Sequence, residues 1–130
     1  MQTATVTTPV RVFLADDSAE IRRRVAEILQ SREMAIVGQA ETPEACIDGI
    51  LGLNPDVVVL DVQLEGGSGL QVLKAVRAKA PGVAFVVFSN NSGPAYRKRY
   101  LGEGANRFLD KSTEFGQLAQ AVDAVCARPH

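Results

Sequence analysis

Short apolar runs alternate along this chain with longer stretches whose apolar residues recur every three or four positions. Val10 to Ala15 (VRVFLA) is strand-like, and the next segment places Ile21, Val25, Ile28 and Leu29 on one helical face. A second strand is expected over Ala35 to Ala40. Thr42 as N-cap and Pro43 at the first helical position then announce a helix. Asp56 to Leu60 carries VVVL, apolar on both faces, which suits a strand covered from both sides. Leu64 to Gly69 reads as a loop, and Ser68 can cap a helix bearing Leu70, Leu73 and Val76. Pro81-Gly82 breaks that helix, and Val83 to Phe88 is a second doubly buried run. Ser92-Gly93-Pro94 opens a helix to about Leu101, which Gly102 and Gly104 end. Arg107 to Leu109 is a short last strand. Phe115, Leu118, Ala119, Val122 and Val125 mark the final helix.

Five strands alternating with five helices predict an α/β fold, a parallel sheet with helices on both faces. No repeat, low-complexity stretch or linker interrupts the pattern. One domain is therefore expected over residues 10–127, after a flexible segment of residues 1–9.

In open α/β sheets, ligands bind outside the carboxyl ends of the strands. The first strand ends in Asp16-Asp17, the third in Asp61 and the fourth in Ser89, while the fifth leads through Asp110 into Lys111. Three carboxylates, a hydroxyl and an ammonium thus collect at one edge. Carboxylates crowded together are costly unless a cation compensates them. A hard divalent ion is the natural partner, and Mg²⁺ takes few protein carboxylates and leaves positions for phosphate oxygens. A carboxylate beside such an ion can attack phosphorus to give an aspartyl-phosphate. Lys111 would supply a second positive pole, and the Ser89 hydroxyl could bond a remaining oxygen.

Taken singly, each piece has an ordinary reading. Asp17-Ser18-Ala19-Glu20 equally describes a capping box, Asp61 a turn residue, Ser89-Asn90-Asn91 turn chemistry, and Lys111 a helix-start surface residue. Their conjunction at one strand edge favours the functional reading.

The segments VFLADDS, PDVVVLDVQLEGGSG, FVVFS and GANRFLDKS, in this order and spacing, resemble the receiver domains of two-component response regulators. The resemblance runs from about Val10 to Val125. It implies a flavodoxin-like (βα)5 fold with a five-stranded parallel sheet of order 2-1-3-4-5. It also implies that Asp61 is the phosphoacceptor, that Asp17 binds Mg²⁺ directly, and that Asp16 assists directly or through water. The backbone carbonyl of Gln63 would be a further metal ligand alongside Asp61, and Mn²⁺ could replace Mg²⁺. Ser89 and Phe108 match the switch pair, and Lys111 matches the phosphate-binding lysine. Four positions depart from the usual family pattern. Ser112 follows the lysine where a cis proline is usual, Glu65 replaces a proline, Asn90 replaces a small residue, and Phe108 replaces tyrosine.

The implied donor is a sensor histidine kinase or a histidine phosphotransfer protein. An internal donor is excluded because the chain's only histidine is His130. The domain would signal rather than act as an enzyme on other molecules. Its output surface would be the face of the fourth helix, fifth strand and fifth helix, with a phosphorylation-dependent dimer through that face a further expectation. The fourth helix carries Tyr96, Arg97, Lys98, Arg99 and Tyr100, either a partner-binding cluster or a solvated face with Tyr100 half buried. Arg22-Arg23-Arg24 reads chiefly as surface charge, beside the helix where kinases dock in this family. A stand-alone regulator is the leading reading; the alternative is a receiver whose helix-turn-helix output domain lies beyond this sequence.

Composition removes competing classes. With 14 Lys and Arg against 15 acids, no charge excess favours nucleic acid or an anionic membrane. No apolar tract is long enough to span a bilayer, and without a secretion signal the cytoplasm is expected. Cys46 and Cys126 lie in helical apolar patterns without CxxC spacing, and are expected to be buried thiols.

Overall fold

Ser18 and Thr42, each in extended backbone, accept from the N–H three residues ahead and so start the first two helices. A computed structural model describes residues 8–126 of the chain. Residues 1–7 of the expected flexible segment, residue 127 and His130 lie outside them. The elements are β1 (Arg11–Ala15), α1 (Ala19–Gln30), β2 (Ala35–Ala40), α2 (Pro43–Leu53) and β3 (Val57–Leu60). There follow β4 (Gln63–Leu64), β5 (Gly67–Ser68), α3 (Gly69–Lys79), β6 (Ala84–Ser89), α4 (Pro94–Gly102) and β7 (Arg107–Asp110). A 3₁₀ turn over Phe115–Gln117 leads into α5 (Leu118–Val125).

The main sheet is parallel throughout, in the order β2-β1-β3-β6-β7. Counting only these five strands, this is the 2-1-3-4-5 arrangement. Successive residues of β3 face opposite ways, as the period of a strand requires. Val57 and Val59 join the layer under α1 and α5, whereas Val58 and Leu60 join the layer under α2, α3 and α4. Both faces are covered, which is why the VVVL run could be apolar at every position.

The segment expected to be a loop between Leu64 and Gly69 is instead built around a small antiparallel hairpin of β4 and β5. Gly66 turns its tip at φ +81°, a conformation that costs a glycine little. The Gln71 side chain accepts from the Ser68 N–H at 2.9 Å, so Ser68 does mark the start of α3. On that helix Val72, Leu73 and Val76 are fully buried, while Leu70 packs at the margin of the core. Cys46 is buried, and burial pushes its thiol up to about 12; Cys126 is only half-buried.

Candidate functional site

The site residues stand just past or at the ends of their strands, each held by one more rung of the backbone ladder. Asp16 N–H donates to the Ala40 carbonyl at 3.2 Å, Asp61 N–H to Ala15 at 2.9 Å, and Lys111 N–H to Ser89 at 3.0 Å. The parallel sheet therefore aligns residues that are dozens of positions apart. β1 and β3 are neighbours at the point where strand order reverses, and this is the crevice that open α/β sheets offer to ligands.

Lys111 and the three acids come together. Lys111 Nζ lies 2.6 Å from Asp16 Oδ2 and 2.9 Å from Asp61 Oδ2. Both acids and the lysine are more than nine-tenths buried. Burial pushes the Asp16 carboxyl above its ordinary range, only partly offset by its bond to Lys111. Burial pulls the Lys111 ammonium down, but the two carboxylates outweigh it and the net shift is upward. Asp17 is exposed at the mouth, and Asp16, Asp17 and Asp61 each present an oxygen within 4.8 Å of the others. One ammonium cannot balance three carboxylates, so this all-oxygen set suits a hard divalent cation with room for waters. Gln63 is exposed, and its N–H lies 3.5 Å from Asp61 Oδ1.

Ser89 is 1% exposed, and its hydroxyl accepts from the Asn91 N–H at 3.0 Å. Phe108 is turned inward, edge-on to Tyr100 at 6.0 Å and beneath the Arg97 guanidinium at 5.2 Å. Glu65, Asn90 and Ser112 are exposed, and no cis peptide occurs among the described residues.

The aromatic and basic run on α4 does not form one surface. Five consecutive helical residues sweep more than a full turn, so they cannot share a face. Tyr96 is 45% exposed, whereas Tyr100 is 3% exposed, more deeply buried than expected, with its hydroxyl 3.4 Å from the Val62 carbonyl. The arginines of α1 divide in the same way. Arg22 donates to the Asp16 carbonyl at 2.5 Å, to Gln39, and to Glu41 at 2.9 Å, so it braces the acidic edge. Arg23 and Arg24 are exposed and remain surface charge as expected, with Arg24 stacked over Phe115 at 4.3 Å.

A group around Asp110 had no signal in the sequence. Its carboxylate accepts from the hydroxyls of Ser92 and Ser112 and from the N–H groups of Ser112 and Thr113. These bonds, the Ser112 hydroxyl first, hold the carboxyl at about 2 against an ordinary 3.8. Because the folded value is depressed, the stabilisation is complete above about 3.8 and is lost as pH falls through about 2. The Asp110 carboxyl carbon is expected to titrate near 2 by NMR, and to move upward in a Ser112→Ala chain. An unchanged midpoint in that variant would contradict the assignment of cause.

The family model for the response regulator receiver domain matches residues 12–123. The chain belongs to the response regulator receiver family. Among curated proteins, this receiver is 30% identical over 114 residues to the uncharacterized transcriptional regulatory protein YvfU of Bacillus subtilis. The match covers 87% of this chain and 57% of that protein. It is 28% identical to the response regulator GacA of Pseudomonas aeruginosa, over 91% of this chain and 56% of GacA. The first relatives are thus longer proteins, of which this receiver spans between about a third and somewhat over half. Among solved structures, the signal receiver domain of the putative response regulator NarL from Mycobacterium tuberculosis has TM-score 0.85 and 31% identity. That match covers 94% of this chain and all of the other. The response regulator domain of Thermotoga maritima CheB has TM-score 0.80 and 28% identity, with the same coverage. This chain is therefore a signalling domain of a two-component system. Among its described residues, no helix is long and apolar enough to cross a membrane.

Proposed function

We propose that this receiver takes a phosphoryl group onto Asp61 from a phosphohistidine, borne by a sensor histidine kinase or a histidine phosphotransfer protein. The observation that carries the reading is Lys111 Nζ bridging Asp16 and Asp61, with Asp17 close enough to complete an acidic trio. An Asp61 carboxylate oxygen forms the new P–O bond as the donor's P–N bond breaks. The donor imidazole leaves with the bonding pair and takes up a proton. Lys111 balances charge on the incoming group and orients the carboxylate; the buried Ser89 hydroxyl, bonded to the Asn91 N–H at 3.0 Å, would turn to bond a phosphoryl oxygen. Mg²⁺, held by Asp16, Asp17, Asp61 and the Gln63 carbonyl, would neutralise the phosphoryl oxygens, and Mn²⁺ would substitute.

The output follows from a shift between two conformations. Ser89 moving toward the phosphoryl group draws its loop inward, and Phe108 turns with it, which changes the face of α4, β7 and α5. A downstream protein, or a second phosphorylated copy, would meet that face. The receiver unit extends over residues 10–127 and works in the cytoplasm. The likeness to YvfU, named as a transcriptional regulatory protein, over 87% of this chain but 57% of its own length, supports a receiver joined to a helix-turn-helix output over one that acts alone. The length of the native reading frame separates the two.

Incubation with a small phosphodonor and Mg²⁺ should label the protein, and EDTA should reduce the labelling rate about a hundredfold or more. Labelling at an equal rate in EDTA would remove the metal from the account.

A further inference from the structure

The turn that carries Lys111 is held by a side chain that the phosphoryl chemistry itself does not use. Asp110 closes β7 immediately before the lysine. One carboxylate oxygen, Oδ1, accepts from Ser112 N–H at 2.7 Å, from the Ser112 hydroxyl, and from Thr113 N–H at 3.3 Å. The other, Oδ2, accepts from the hydroxyl of Ser92, eighteen residues earlier in the loop between Ser89 and α4. One carboxylate therefore holds both loops that flank the phosphoryl position. Glu114 adds to the same bracket, accepting from the Asp110 N–H at 2.9 Å and pairing with Arg97 of α4 at 3.1 Å. Arg97 in turn donates to the carbonyls of Ser92 at 3.2 Å and Phe108 at 3.0 Å.

We propose that Asp110 is a positioning residue whose carboxylate ties the loop after Ser89 to the Lys111 turn, so that the two move together when the site is occupied. The proposal rests on the phosphoacceptor reading and specifies how two of its parts are linked. The physical reason lies in the turn. Ser112 stands after the lysine, so no proline ring restrains the backbone there. Hydrogen bonds to an ionised carboxylate, stronger than those between neutral groups, supply the restraint instead. A carboxylate has lone-pair directions for about four donors, and this one receives four, one of them from the other loop.

The test uses the full chain with Mg²⁺ and beryllium fluoride, a tetrahedral stand-in for the phosphoryl group, followed through backbone amide NMR signals. In the wild type, Asn91 on one loop and Ser112 and Thr113 on the other should shift with a common midpoint. Ser92→Ala removes one hydroxyl from a half-buried loop residue, so the fold is at little risk. In that variant the Ser112 and Thr113 shifts should fall to about half or less while the Asn91 shift persists. Ser92→Thr, which restores the hydroxyl, should recover them. Undiminished Ser112 and Thr113 shifts in Ser92→Ala would overturn the proposal. So would a lowered melting temperature with the ratio of the two loops' shifts unchanged, the mark of a merely structural bond. A wild-type chain that does not respond to beryllium fluoride at all would overturn the phosphoacceptor reading first, and the coupling with it.

Discussion

A Gly69→Ala chain is expected to melt well below the wild type and to take up phosphoryl groups poorly. Gly69 opens α3, and its N–H donates to the Val62 carbonyl at 2.7 Å. A Cβ at this position would stand 2.1 Å from the Asp61 carbonyl oxygen and 3.1 Å from Leu60 Cγ. The nearer obstacle is backbone, not the end of a flexible side chain, so the helix start or the acceptor must move. Two effects compete. Alanine favours a helix over glycine by at most about 1 kcal/mol, and less at a terminal position. Overpacking against fixed atoms costs about 1–3 kcal/mol, and here the overlap is severe. Sterics should win, with a loss of about 2 kcal/mol or more, which lowers Tm by roughly 5–10 °C in a domain of this size. Because the displaced backbone belongs to Asp61, labelling should slow more than stability alone explains. Wild-type melting together with wild-type labelling would show that the close approach does not position the acceptor.

Lys111→Ala should cost at least about a hundredfold in labelling rate, the scale found when one preorganised donor is removed from a buried reaction centre. It should also change how the protein responds to metal. The ammonium is within hydrogen-bond reach of two buried carboxylates, and its loss leaves Asp16 and Asp61 facing each other without a cation. Removing one partner of a buried pair costs about 3–5 kcal/mol. Mg²⁺ would then supply the missing charge, so it should raise Tm more in the variant than in the wild type. Equal Mg²⁺-induced shifts in the two proteins would argue that lysine and metal do not share the acidic trio.

Where the sequence was legible, a repeating physical constraint stood behind it. β2 was legible as the short run over Ala35 to Ala40 that precedes Thr42 and Pro43, and the start of α2 because that pair begins a helix in a way few others do. The site could be read because each of its charged residues follows an apolar run, and strand ends mark one edge of a parallel sheet. The hairpin of β4 and β5 was not legible, since two-residue strands are too short to show a period. Lys111 also has an ordinary surface reading, and only its two carboxylate partners, on β1 and β3, explain its burial. The Asp110 bracket ties Ser112 and Glu114 to Ser92, eighteen residues before Asp110, and to Arg97, seventeen before Glu114, and no local period reports such long-range partners. Tyr96 and Tyr100 are one helical turn apart, yet only Tyr100 is buried against the core. Periodicity places a residue on a face; it does not say how far the face is covered.

The central claim is that Asp61 receives the phosphoryl group. It is tested most directly by intact mass after incubation with a small phosphodonor and Mg²⁺, comparing the wild type with Asp61→Asn. The wild type should gain about 80 Da, one phosphoryl group, and Asp61→Asn should gain none. An equal gain in Asp61→Asn would place the phosphoryl group on another residue and contradict the account.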